Sequence, residues 1–265
     1  TPCYERGKRS EGMKILGRTQ MLETSTLAEA IVEIGALGFD GAEICLERRD
    51  WSIYRFDKEE ARSAKEAADH AGLTYRSLSF HQDYIYNDEK LAETKRIIPL
   101  TPEVGADVFV FSGCKKVSRD EAEWDRVVAR TRELVGVAED SGVTLALEFE
   151  PDFVIGSTNE MLRLFEEVDS PCLCANLDLG HVFLVDDDPL ASIRTLGEKI
   201  VHCHIENMGA GVHQHRLPWD GDMDLQAYID ALKNAEFTGG MALDMYDCDY
   251  AAVAAECISY LRKLI

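Results

Sequence analysis

The sequence predicts an α/β fold, a single (β/α)8 TIM barrel, on three observations. Eight short β-rich runs alternate with stretches of helical period along the chain, and strict β-then-α alternation implies parallel strands joined by right-handed crossovers. The length of 265 residues is close to the ~250 that one complete barrel takes. No G-x-G-x-x-G follows the first run, which disfavours an open doubly wound sheet, the other architecture built from such units.

Residues 1–13 are charged and lack the apolar centre of a secretory signal; they read as a polar leader, with Met13 a natural start. The barrel is expected over 14–265. The first strand run is 14–19 (KILGRT), followed by TSTLAEAIVEIGALG. That stretch puts Leu27, Ile31, Ile34 and Leu37 on one stripe, between a Ser/Thr cap and a Gly stop. The second run is 41–46 (GAEICL), and its helix DKEEARSAKEAADHAG again ends at Gly. The third and fourth runs are 75–80 (YRSLSF) and 106–111 (ADVFVF), before the helical SRDEAEWDRVVARTRELVGVAEDSG. Runs five to seven are 143–149 (VTLALEF), 173–178 (LCANLD) and 200–205 (IVHCHI). DLQAYIDALKNAEFTG leads to the eighth run, 240–244 (GMALD), and DYAAVAAECISYLRKLI closes the chain. No linker or composition shift marks a second domain.

Composition excludes several classes. Lys and Arg number 28 against 49 Asp and Glu, a net charge of −21. Nucleic-acid affinity comes largely from Lys and Arg releasing counterions, so nucleic acid and anionic membrane are not expected partners. No apolar run approaches the ~20 residues that cross a bilayer. The eight cysteines form no C-x-x-C pair; buried free thiols in a reducing cytoplasm are expected. The sequence leaves room for a homo-oligomer.

In barrels of this kind, chemistry sits at the carboxyl ends of the strands. Run two delivers Glu43 there, run three His81, run five Glu148 and Glu150, and run six Asp178 and His181. Run seven delivers His202 and His204, the following loop His213 and His215, and run eight Asp244. Six of the seven histidines fall in this set, only His70 outside it. Each alone would pass as a hydrogen-bonded bystander; their convergence carries the argument. Buried carboxylates are costly unless neutralised, and a divalent cation neutralises them. Mixed O and N donors without thiolate suit Mn, Mg, Co, Fe or Zn. Glu148, Asp178, His204 and Asp244 come from four neighbouring strands and can reach one ion.

At these residues the chain resembles the xylose isomerase-like TIM barrels, which include sugar phosphate isomerases and epimerases, inosose dehydratases and the endonuclease IV (AP endonuclease type 2) enzymes. The motifs are GFDGAEI, LALEFEP, LDLGH, VHCHIEN, HRLPWDGDMD and GGMALDM. The resemblance implies that Glu148, Asp178 and His204 are metal ligands, and Asp244 stands where the family usually has Glu. It implies a metal-dependent sugar or cyclitol isomerase or epimerase acting through an enediolate, with Glu148 and Asp244 moving the proton and His181 hydrogen-bonding the substrate. His81, His215, Arg216 and Trp219 are expected to contact the substrate, and Trp51 is a further stacking candidate. Glu43 is expected either in the pocket or as the partner of an arginine. A dehydratase on a keto-sugar or inosose shares the same proton-abstraction step. An endonuclease IV-like zinc phosphodiesterase ranks behind: His81 and His213-Gln-His215 resemble parts of its three-zinc set, but the fourth run ends VFVFSGC without a His.

Overall fold

The computed structural model describes residues 12–47, 56–118 and 120–265. The leader up to residue 11, with Cys3, and the stacking candidate Trp51 lie outside the described residues. The barrel strands are β1 (Lys14–Arg18), β2 (Gly41–Cys45), β3 (Tyr75–Ser79), β4 (Val108–Ser112), β5 (Thr144–Glu148), β6 (Leu173–Asp178), β7 (Ile200–Ile205) and, after a hairpin of β8 (Asn207–Gly209) and β9 (Val212–Arg216), β10 (Gly240–Leu243). They pair in parallel in the order β1-β10-β7-β6-β5-β4-β3-β2, and the ring is closed by Lys14 in register with Gly240. Every residue of β2, β4, β5, β6, β7 and β10 is buried, as a parallel sheet covered by helices requires.

The covering helices are α1 (Leu27–Ala36), α2 (Lys58–His70), α3 (Asp88–Ile97), α4 (Glu121–Ser141), α5 (Thr158–Val168), α6 (Leu179–Val185), α7 (Pro189–Leu196), α8 (Leu225–Asn234) and α9 (Tyr250–Leu264). Their ends follow local chemistry. Thr26 and Glu29 form a reciprocal capping box on α1. Gly142, left-handed at φ 67°, ends α4. The stripe on α1 is buried at Leu27, Ile31 and Ile34, with Leu37 packed at its edge.

Three expectations need correction. The fourth strand starts at Val108 rather than residue 106, because the amide of Ala106 still bonds back to the Thr101 carbonyl, around the 3-10 turn Pro102–Val104. The segment after β7 is not all loop: Gly211, at φ 70°, lets the chain reverse and pair Gly209 with Val212. The eighth barrel strand is therefore the tenth strand of the chain. Cys172 is disulfide-bonded, so the expectation of buried free thiols fails there; among the described residues it holds for Cys45, Cys114, Cys174, Cys203 and Cys257, while Cys248 is free but exposed. Among the described residues no helix is long and apolar enough to cross a membrane.

Candidate metal centre and active site

The carboxyl ends of the strands bring the chemistry-bearing side chains to one end of the barrel. Glu148 ends β5, Asp178 ends β6, His204 lies one residue from the end of β7, and Asp244 follows β10. All four are at most 4% exposed. His204 Nδ1 stands 3.1 Å from Glu148 Oε2, 3.7 Å from Asp244 Oδ2 and 3.8 Å from Asp178 Oδ2. Two donors each ~2.1 Å from one ion stand about 3.0–3.4 Å apart, so a few tenths of an ångström of inward movement would satisfy all of them.

Hydrogen bonding decides which atoms are available. His204 Nε2 bonds Glu43 Oε2 at 2.9 Å. That carboxylate–imidazole pairing orients metal-ligating histidines in general, and it leaves Nδ1 as the nitrogen an ion would take. His204 Nδ1 and Asp178 Oδ2 are both buried without a hydrogen-bond partner. Asp178 Oδ1 is engaged elsewhere, accepting from the His181 amide at 2.8 Å to cap α6. Orphaned buried polar atoms aimed at one point, with three carboxylates around one imidazole, fit a divalent cation with mixed O and N ligands.

Beneath this layer a second one holds Glu148. Asn176 Nδ2 donates to Glu148 Oε2 at 2.8 Å, and Asn176 Oδ1 meets His202 Nδ1 at 2.8 Å. His202 Nε2 meets Ser77 Oγ at 3.0 Å. Burial keeps the His202 imidazole neutral, its pKa down at about 3. Burial pushes the Glu148 carboxyl up, but His204, His81 and His181 outweigh it and hold it well below the usual range. Burial would lower His204, but Glu148 and Glu43 raise it well above an ordinary histidine.

Above the four residues lies a cavity of about 310 Å³ lined by Arg18, Gln20, Glu47, His81, Glu148, Glu150, His181, His213, His215, Asp244 and Tyr246. Of the sequence candidates, His81, His181, His215, Glu148 and Asp244 are on its wall. Three are not. Glu43 is fully buried below, with Arg18 Nε on Oε1 at 2.9 Å and His204 on Oε2; of its two expected settings it takes the arginine-partner one. Arg216 turns back along β9 onto Gln214 Oε1 at 3.0 Å. Trp219 packs edge-on against Tyr260 of α9, ring centroids 5.6 Å apart. Arg216 alternates with the cavity-lining His215 along β9, and Trp219 follows the hairpin in the next turn.

Sequence reasoning passed over Arg18, Glu47 and Glu206. Arg18 ends β1 with 3% exposure and pairs through Nη1 with Asp244 Oδ1. Glu47 accepts from the His81 amide at 2.8 Å. Glu206 accepts from the Gly180 amide at 2.7 Å, and burial, then Asp178, raises its pKa well above the usual range. A Cβ on Gly180 would lie 2.3 Å from Glu206 Oε1, so only glycine lets α6 approach this closely. The signal for Arg18 was available: a basic residue closing an apolar strand run.

The hairpin adds one more group. His181 Nδ1 meets the Phe149 carbonyl at 2.9 Å and its Nε2 stands 3.0 Å from His213 Nε2. Together with His215, these rings bring three nitrogens within 4.8 Å of one another.

A closed eight-stranded parallel barrel with this carboxylate–imidazole cluster at the strands' carboxyl ends defines the class, and the chain belongs to the xylose isomerase-like TIM barrel family, whose family model matches residues 31–264. Among its relatives, L-ribulose-5-phosphate 3-epimerase UlaE of Salmonella typhi is 23% identical over 233 residues, 83% of this chain and 82% of that protein. The solved 3-keto-D-glucoside 4-epimerase YcjR from E. coli superposes with a TM-score of 0.80 at 20% identity, covering 95% of this chain and 99% of that one. The probable 3-DHS dehydratase AsbF from Bacillus anthracis gives 0.81 at 16% identity, covering 94% and 99%.

Proposed function

We propose that the protein is a divalent-metal-dependent sugar or cyclitol epimerase or isomerase. The observation that carries this is the convergence of Glu148, Asp178, His204 and Asp244, with unpartnered buried atoms, on the floor of a cavity. Two of its similar proteins are named as sugar 3- and 4-epimerases. The four residues would hold the ion, which, when bound, polarises a carbonyl and the neighbouring hydroxyl and so acidifies the C–H between them.

The remaining steps belong to the protein. Glu148, held by Asn176 through Oε2, keeps Oε1 free to take the proton from that carbon. A second proton, carried by Asp244 on the opposite side of His204, would go to the other face of that carbon and invert the centre, and both carboxyl groups would then reset by proton exchange with solvent. His181, 3.5 Å from Glu148 Oε1 and on the cavity wall, would hydrogen-bond a substrate oxygen through Nε2 once that atom leaves His213 Nε2. His81 and His215 fix the sugar's orientation from the wall.

The test is a screen of ketoses and keto-inositols with the manganese-loaded protein, followed by deuterium exchange and product mass. Exchange with unchanged mass supports the reading. Loss of water would move it to a dehydratase, the chemistry named for AsbF. Absence of exchange with every carbonyl substrate would end it. One observation favours a second reading, a multi-zinc phosphodiesterase: the His181, His213 and His215 cluster beside the first site. Two or more tightly bound zinc ions with cleavage of abasic DNA would establish that reading.

A further inference from the structure

We propose that Arg18 is a catalytic residue that binds the oxyanion formed on the substrate when the C–H proton is removed. The inference rests on the proton-transfer reading above and adds a group to it. Arg18 ends β1, is 3% exposed, and lines the cavity beside Glu148, His215, Asp244 and Tyr246. A guanidinium carries five N–H donors in a rigid planar fork and keeps its charge when buried. Two of its nitrogens are committed: Nε to Glu43 Oε1 at 2.9 Å and Nη1 to Asp244 Oδ1. Nη2 has no hydrogen bond to any described residue.

The two carboxylates fix the fork at its back and side. Glu43 is itself anchored by His204 Nε2 at 2.9 Å. Arg18 therefore cannot swing toward other partners, and its spare donors stay at the cavity floor. Asp244 links the two centres, with Oδ1 on Arg18 and Oδ2 3.7 Å from His204 Nδ1. A substrate whose oxygens meet the Glu148–Asp178–His204 cluster would thus place an adjacent oxygen beside the fork. When Glu148 takes the proton from carbon, the electron pair left behind moves onto the carbonyl oxygen. Preorganised donors aimed at such a charge in a dry site are among the largest catalytic effects.

The test compares glycolohydroxamate, an anionic mimic of an enediolate, with xylitol, a neutral polyol, both on the manganese-loaded protein. Arg18→Lys keeps the charge and loses the fork. It should weaken glycolohydroxamate by about tenfold or more while xylitol changes by less than about threefold. Equal hydroxamate affinity in folded Arg18→Lys overturns the proposal. Should that variant not fold, a crystal structure of the wild-type complex decides: Arg18 Nη2 within about 3 Å of a hydroxamate oxygen supports it, and separation by water or a longer gap overturns it. Wild-type protein that binds xylitol and manganese but not through Arg18 sinks this inference alone. Protein that binds no manganese sinks the underlying reading with it.

Discussion

Asp178 has two separable jobs, and two substitutions pull them apart. Its Oδ1 caps α6 through the His181 amide at 2.8 Å, while Oδ2 points unpartnered toward His204 Nδ1, 3.8 Å away. Asp178→Asn keeps a capping oxygen, and Asn caps as well as Asp, so the metal-free protein should melt close to wild type. Asp178→Ala also loses the cap, at about 1 kcal/mol, or roughly 2–4 °C for a chain of this size. Metal binding should respond differently. Losing a charged ligand weakens the site by about 100-fold or more, ~2.7 kcal/mol at 1.36 kcal/mol per decade. In manganese at 100 times the wild-type Kd, wild type gains about 2.7 kcal/mol, an upward shift of roughly 5–10 °C. Asp178→Asn at the same concentration should gain only about 0.4 kcal/mol. Calorimetric melts with and without manganese, with elemental analysis after dialysis, read both quantities. An Asn variant that keeps the full manganese shift would refute the ligand assignment.

Two further outcomes follow from the same geometry. Glu148→Gln preserves the Asn176 contact in shape and removes the proton acceptor, so exchange into deuterated water should fall by about 10²–10⁴-fold with the protein still folded; undiminished exchange would place the base elsewhere. His202 sets an acid limit on stability. Its folded pKa is about 3 against 6.5 for an ordinary histidine, so below 6.5 the unfolded chain takes up a proton that the folded one refuses. Stability is therefore lost as pH falls, by about 2 kcal/mol between pH 7 and pH 5. Urea melts of wild type and His202→Gln should show a shallower slope in the variant, and identical slopes would exclude His202 as the cause.

The barrel was legible because its signals are local. Alternating β-rich and helical runs, Ser/Thr/Asp caps and Gly stops each act over a few residues, and the strands came out within two residues of their expected bounds. The hairpin was not, because VHQHR carries no apolar alternation; its pairing is set by a Gly211 turn and by Asn207, which accepts from the amides of Met208 and Met223. At the site, listing the polar ends of strands found Glu148, Asp178, His204 and Asp244, since period two dictates which residues face inward. Skipping the end of β1 lost Arg18, and stopping at His204 lost Glu206, two residues on. Arg216 and Trp219 illustrate the opposite limit. Arg216 alternates with the cavity-lining His215 on β9 and Trp219 lies in the turn beyond it, placements that no single residue type reports.

The electrostatics of the cluster lead to the last prediction. Glu43, Glu148, Asp178, Glu206 and Asp244 are all buried, and Arg18 is the buried arginine among them. Such a group is stable without an ion only if it holds protons. Burial works against a charged His204 and His181, yet their carboxylate neighbours raise both above an ordinary histidine. Near neutral pH, therefore, His204 bonds Glu43 through Nε2 and carries a further proton on Nδ1. An ion taken by Nδ1 must displace that proton. Manganese binding at pH 7 should release roughly one proton or more per ion, seen as calorimetric binding enthalpies that vary with the ionisation enthalpy of the buffer. Release should shrink as pH rises past the folded pKa of His204, because the displaced proton is then already gone. Enthalpies independent of buffer at pH 7 would mean that Nδ1 is not charged there or is not the ligand, and either would undo the electrostatic account of this site.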